Sequence, residues 1–261
     1  MNASRTGDTV ASLRERLAAA EREVVALRAR LDRTEREAAA RQHQLERYAA
    51  DLREVFKQER ARAQELRESY LATVQALSNA VEARDAYTGK HAERVTAYGI
   101  ALAQASGLDT DIRPDIEFGF LLHDVGKVAV PDAILFKQSA LSDEEFTMIA
   151  RHPVIGSEIL RDVDWLGEGK LVVRHHHERW DGRGYPDRLA GDEIPLPARI
   201  FAVADALDAL TSDRPYRSAA GWETARREIV ANAGSHFDPM VVAAYETIPD
   251  ARFAELRETV A

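Results

Sequence analysis

The sequence predicts an all-α protein: a long N-terminal coiled-coil helix followed by a helical bundle domain. Three observations predict it. A seven-residue apolar repeat fills the first quarter of the chain. Beyond it, apolar residues recur at helical spacing, and no segment shows the two-residue alternation of a half-buried strand. At 261 residues there is enough chain for one sizeable core and an appendage.

Residues 1–9 are expected to be disordered, and residues 10–70 to form a coiled coil that dimerises or carries a signal. From Val10 to Leu66 there is no proline and no glycine. One seam reads Val10, Leu17, Val24, Leu31, Ala38, Leu45, Leu52, Glu59, Leu66. The other reads Leu13, Ala20, Leu27, Thr34, Arg41, Tyr48, Val55, Arg62, Ser69. A sustained heptad repeat gives a left-handed supercoil, and its seam must be buried against another helix. A parallel homodimer through the coil is therefore expected. Leu71, Val74, Leu77 and Val81 continue the stripe, so the helix should run on into the bundle.

The remaining elements follow from caps and breakers. Thr88 reads as the N-cap of a helix carrying His91, Val95 and Leu102, which Gly107 ends. A helix after Pro114 carries Ile116, Phe120, His123 and Asp124. Ser142 and Glu145 form a capping box, with Leu141 and Phe146 as its hydrophobic staple, for a helix ending at His152-Pro153. Further helices are expected over 153–161 and 169–178. The Gly- and Pro-rich stretch 180–197 reads as loop, followed by a helix to about residue 212. Asp238-Pro239 reads as N-cap and first-turn proline of the last strong helix, with 251–261 as a C-terminal tail.

Composition excludes several roles. The formal net charge of −9 argues against a nucleic-acid partner. With no cysteine, disulfides and thiolate metal sites are excluded. No run of apolar residues is long enough for a membrane span or a signal peptide. A cytoplasmic protein is expected, with no sensor domain before the coil.

The chemistry concentrates in imidazole and carboxylate groups. The chain has eight histidines, and three of them are consecutive: His175, His176 and His177. Successive helical residues point ~100° apart, so the three cannot serve one site, and spacing alone does not say which two would. His123-Asp124 with Lys127 places a neutral nitrogen, a carboxylate able to bridge two ions, and an ammonium toward one side of a helix. Gly126 allows a close backbone approach there. His91 and His152 are each weak signals alone. Asp205 and Asp208 lie on an otherwise apolar helix, where an unpartnered carboxylate is costly and a metal would satisfy Asp205. His43 and His236 have no ligand context and read as surface or structural.

Taken in order, the motifs resemble a known family. They are Tyr87-Thr88-Gly89-Lys90-His91, His123-Asp124-Val125-Gly126-Lys127 and Arg151-His152-Pro153. His176-His177-Glu178, Asp181-Gly182-Arg183-Gly184-Tyr185-Pro186, Ala204-Asp205-Ala206-Leu207-Asp208-Ala209-Leu210 and Arg214-Pro215-Tyr216-Arg217 follow, and Phe237-Asp238-Pro239 also fits. This set resembles the HD-GYP domain, a branch of the HD phosphohydrolases, over residues 71–250.

The resemblance implies an HD-type helical bundle and a phosphodiesterase that hydrolyses cyclic di-GMP to pGpG, with GMP as a possible further product. It implies metal ligands at His91, His123, Asp124, His152, His176, His177 and Asp205, with Asp124 bridging and catalytic beside Lys127. Lys127, Arg214 and Arg217 match substrate-contacting positions. Where members with a third metal carry glutamate, this chain has Tyr87, so two divalent transition metal ions are expected (Fe, Mn, Co or Ni). The Gly184-Tyr185-Pro186 loop is implied as a docking surface for diguanylate cyclase domains. The competing expectations are a non-catalytic cyclic-dinucleotide sensor or docking module, and an HD hydrolase of other nucleotides.

Overall fold

The computed structural model describes residues 4–84, 90–110, 113–137, 139–213 and 218–260, with side chains from residue 10 onward. The chain divides into two compact units, Met1–Arg67 and Glu68–Ala261. Among the described residues the only β feature is an isolated bridge between Ala233 and Phe237. The expected all-α class is what the structure shows.

Helix α1 (Ser4–Glu82) begins inside the segment expected to be disordered. In the first unit its heptad positions Leu17, Leu31 and Leu52 are exposed in the single chain. No helix among the described residues is long and apolar enough to cross a membrane.

Among the described residues, the second unit holds the last turns of α1 and ten shorter α-helices. They are α2 (His91–Ala105), α3 (Pro114–Leu121), α4 (Asp132–Leu135), α5 (Asp143–Ile149) and α6 (His152–Ile159). After these come α7 (Gly169–His175), α8 (Leu196–Thr211), α9 (Trp222–Ala231), α10 (Pro239–Glu246) and α11 (Asp250–Val260). A 3-10 helix, Val125–Ala129, lies between α3 and α4.

The core forms around α2 and α8, which pack together most extensively. Val95, Tyr98 and Leu102 of α2 and Ile200, Val203 and Leu207 of α8 are fully buried in one cluster. Their three- and four-residue spacing makes one continuous apolar face on each helix. Each such side chain contributes about 1.5–3 kcal/mol on burial. A second cluster joins Val74 of α1 to Phe118, Leu121 and Leu122 around α3 and to Val173 of α7. Ser78 of α1 also donates to the Leu121 carbonyl at 2.8 Å.

Two caps form as expected. Glu145 N–H donates to Ser142 Oγ at 3.3 Å, and Ser142 N–H donates to Glu145 Oε2 at 2.7 Å. Met240 N–H donates to Asp238 Oδ1 at 2.7 Å, with Pro239 in the first turn. The Thr88 cap and Tyr87 lie outside the described residues.

Four expected boundaries are corrected. α3 stops at Leu121, so His123 and Asp124 sit in the turn beyond it. The helix begun at Ser142 ends at Ile149, and His152 opens the next helix rather than closing that one. Pro153 fits there because the first turn of a helix leaves its N–H groups unpaired. α7 ends at His175, short of 178. The expected tail is helix α11, tied down by the fully buried Phe253 ring and by Arg257, which donates to the Thr211 carbonyl at 2.9 Å.

Candidate metal centre

The turn after α3 supplies the centre's shared group. His123 Nδ1 bonds the Phe120 carbonyl at 2.9 Å as the α-helix unwinds into the 3-10 helix. In that tighter helix residues three apart eclipse one another. Lys127 therefore still stands over Asp124, its Nζ 2.7 Å from Asp124 Oδ2, although no single α-helix carries the pair. Gly126 permits the next contact: a Cβ there would lie 1.9 Å from the His152 carbonyl oxygen. Only a bare backbone lets the start of α6 approach this closely and bring His152 to Asp124.

Around Asp124 the side chains sort into two sets. His152, His176 and His177 each place a ring nitrogen with an Asp124 oxygen so that all four atoms lie within 4.8 Å of one another. His91 and His123 form a second such group, again with Asp124. The carboxylate divides between them. Oδ1 is 3.2 Å from His152 Nε2 and 3.9 Å from His176 Nε2, whereas Oδ2 is 3.1 Å from His123 Nε2. Asp205 joins the second set, its Oδ1 3.5 Å from His91 Nε2.

Four of these imidazoles are oriented through Nδ1, three by backbone carbonyls and one by a carboxylate. The Nδ1 atoms of His123, His152 and His176 meet the carbonyls three residues back, those of Phe120, Ile149 and Val173, at 2.7–3.0 Å. His91 Nδ1 meets Asp208 Oδ2 at 2.8 Å. A carbonyl or carboxylate oxygen only accepts, so Nδ1 carries the proton and Nε2 presents its lone pair inward.

This arrangement fits a cation. His152 Nε2 and His176 Nε2 face each other at 3.2 Å, lone pair toward lone pair. Burial, then the neighbouring imidazoles, push the His176 and His177 pKa values well down, so both rings are neutral. Burial opposes charge on Asp124, but His123 and Lys127 outweigh it and hold its carboxyl well below the usual range. Inward-facing lone pairs around a carboxylate repel unless positive charge lies among them. Imidazole and carboxylate donors without thiolate suit Fe, Mn, Co or Ni.

The structure distributes the other residues singled out in the sequence. His175 turns away from the centre: it is buried beside Glu178 and Asp187, its Nδ1 3.6 Å from Asp187 Oδ2. The loop beyond folds back on the centre. Asp187 N–H donates to Glu178 Oε1 at 2.7 Å, and a Cβ on Gly184 would lie 2.4 Å from Arg179 N. Tyr185 packs on His177 with ring centroids 4.7 Å apart. Phe146, expected as a staple, stands edge-on to Tyr185 at 5.9 Å. Arg214 and Arg217 lie outside the described residues.

Two contributors were missed in the sequence. Asp208 was read there only as a neighbour of Asp205. It is buried, receives Arg94 Nε at 2.6 Å, and orients His91. Its position on the apolar face of α8, one turn from a candidate ligand, was the available signal. His236, set aside as surface or structural, lines a cavity together with His176, His177 and Asp205.

A helical bundle that gathers five histidines and Asp205 around Asp124 defines a class, helical bundles with a His/Asp donor centre that could hold metal. The comparisons make the class specific. The family model described as "HD domain" matches residues 75–241, and the chain belongs to that family, in its HD-GYP branch. It is 43% identical over 180 residues to the 3'3'-cGAMP-specific phosphodiesterase 2 of Vibrio cholerae, covering 68% of this chain and 34% of that protein. It is 41% identical over 180 residues to the cyclic di-GMP phosphodiesterase response regulator RpfG of Xanthomonas campestris, covering 68% of this chain and 48% of that protein. The chain thus spans half or less of the length of these relatives. Among solved structures, the fold is shared with Bd1817, an HDG"Y"P protein from Bdellovibrio bacteriovorus. That match has TM-score 0.52 and 21% identity and covers 69% of this chain and 63% of that one.

Proposed function

We propose that this chain is a metal-dependent phosphodiesterase of cyclic dinucleotides that opens cyclic di-GMP to linear pGpG. The observation that carries the reading is Asp124, whose two oxygens face two different sets of histidines. That is a donor arrangement for a pair of ions, and two-metal sites are suited to phosphoryl chemistry. Relatives named as cyclic di-GMP phosphodiesterases in Vibrio cholerae and Pseudomonas aeruginosa, at 41% and 44% identity, support the substrate class.

Asp124, His152, His176 and His177 would hold one ion, and His91, His123, Asp124 and Asp205 the other. When bound, the two ions supply charge neutralisation at phosphoryl oxygens and a deprotonated water near neutral pH. The protein's own groups position the rest. Lys127, beside Asp124, offers positive charge to a phosphoryl oxygen, and Arg214 and Arg217 are assigned the second phosphate. In the reaction water adds to phosphorus, the P–O3′ bond breaks, and the 3′ oxygen leaves with a proton for which Lys127 is the nearest ammonium donor in the centre.

The exposed heptad face of α1 supports a parallel homodimer, and the Gly184-Tyr185-Pro186 loop is assigned as a docking surface for cyclase domains. A second reading takes 3'3'-cGAMP as the substrate, on the strength of the 43% identity to the Vibrio cholerae enzyme of that name. Incubating the protein, loaded with manganese or iron, with each cyclic dinucleotide separates the two. Release of pGpG from cyclic di-GMP at the higher kcat/KM is expected. No hydrolysis of either substrate would overturn the proposal.

A further inference from the structure

One cavity of about 420 Å³ reaches beyond the candidate metal centre. Its volume lies within the ~300–1,000 Å³ usual for small-ligand sites. His176, His177 and Asp205 contribute to its wall, and so do Glu228 and Asn232. A group bonded to a phosphate at the centre would therefore have this space to enter.

Small side chains line one wall. Ala202, Ala206 and Ala209 lie four and three residues apart on α8, so their small side chains share one face. Ile229 and Phe237 add further apolar surface. Bulkier residues at the three alanine positions would fill the space a base needs.

Glu228 is the acidic group of this cavity outside the metal centre. Among the described residues its carboxylate makes no hydrogen bond or ion pair. Asn232 stands one turn on, its Nδ2 donating to the Glu228 carbonyl at 2.9 Å, so both polar side chains occupy the same side of α9 and its cap. A carboxylate is poorly matched to a phosphate. It is well matched to the Watson–Crick edge of guanine, where N1–H and the N2 amino group stand side by side as donors. Adenine presents an unprotonated N1 in that place and would set a lone pair against the carboxylate.

We propose that this cavity receives one purine base of the cyclic dinucleotide and that Glu228 selects guanine by accepting its N1–H and N2–H hydrogen bonds. The proposal rests on the phosphodiesterase reading and adds to it the residue that fixes base identity. Asn232 lines the same cavity one turn on, and the alanine face of α8 accommodates the ring.

The test compares the metal-loaded wild type with Glu228→Ala and Glu228→Gln on three substrates: cyclic di-GMP, cyclic di-AMP and bis(p-nitrophenyl) phosphate, which has no base. Charge-assisted hydrogen bonds to a substrate N–H are strong discriminators. Both variants are expected to raise KM for cyclic di-GMP about tenfold or more relative to any change on the nitrophenyl ester, with kcat affected less. The preference for cyclic di-GMP over cyclic di-AMP should shrink by the same factor. An unchanged preference in both variants overturns the Glu228 assignment and leaves the phosphodiesterase reading intact. A wild type that hydrolyses the nitrophenyl ester but no cyclic dinucleotide overturns the functional reading and this assignment together.

Discussion

The two halves of the candidate metal centre share one means of support, a backbone carbonyl three residues back, which also holds His123 in the second half, and differ at His91. On one side, His152 and His176 are oriented by backbone carbonyls of their own chain segments, and His176 and His177 are kept neutral by burial. On the other, His91 is oriented by a carboxylate, Asp208, which Arg94 holds in turn. Burial works against charge on His91, but Asp208 and Asp205 outweigh it and push its pKa up. The first half is fixed by covalent proximity and packing and presents neutral donors. The second adds to the carbonyl-held His123 a ring, His91, fixed by a long-range side-chain pair in a negative field, so a single substitution at that pair can tune it.

The comparison breaks first at the group both halves share. Asp124→Ala should remove hydrolysis by at least ~10³-fold, equivalent to ~4 kcal/mol of lost stabilisation. It should also abolish binding at both ion positions. Manganese titration followed by calorimetry checks this, and retention of one full-affinity ion in the variant would show that the halves do not depend on a common carboxylate.

Next in size is the charged half alone. Asp208→Asn keeps the shape but removes the charge that orients His91 and pairs with Arg94. Partners of this kind are worth about 10–100-fold in metal affinity or activity. One ion should weaken by that factor while the other keeps its affinity. Equal weakening of both would contradict the division.

Smaller effects belong to the packed half. Phe146→Ala removes the ring that stands against Tyr185, itself packed on His177. An aromatic pair is worth ~0.5–1.5 kcal/mol, so kcat/KM should fall by about two- to tenfold with both ions still bound. The smallest effect is expected at the third member of the histidine run. His175→Ala should leave the metal content of the folded protein unchanged, as measured by elemental analysis, since its ring faces Glu178 and Asp187. Loss of an ion in that variant would place His175 in the centre.

Much of this was legible in the chain. The capping box at Ser142 and Glu145 and the cap at Asp238 formed as read, because a cap joins residues two or three apart and involves no distant partner. The all-α class followed from apolar spacing for the same reason. Less legible was where helices stop. The α3 boundary at Leu121 is set where the His123 side chain bonds Phe120 and the close approach of α6 to Gly126 follows, contacts that a propensity for helix does not contain. Phe146, read as a local staple, also meets Tyr185 of a loop almost forty residues downstream, a contact that no local pattern contains.

The sequence by itself determined the inventory: a heptad helix, a bundle of short helices, a stock of imidazoles and carboxylates, and the motif order that marks the HD-GYP branch. Periodicity and motif order are properties of neighbouring residues, so a linear reading reaches them. Only the tertiary structure decided the partition: which Asp124 oxygen faces which histidines, that Asp208 backs His91 across 117 positions of chain, and that Glu228 shares a cavity with the centre. Those relations depend on helix packing, which brings residues far apart in sequence to within hydrogen-bond distance and leaves no local trace at either end.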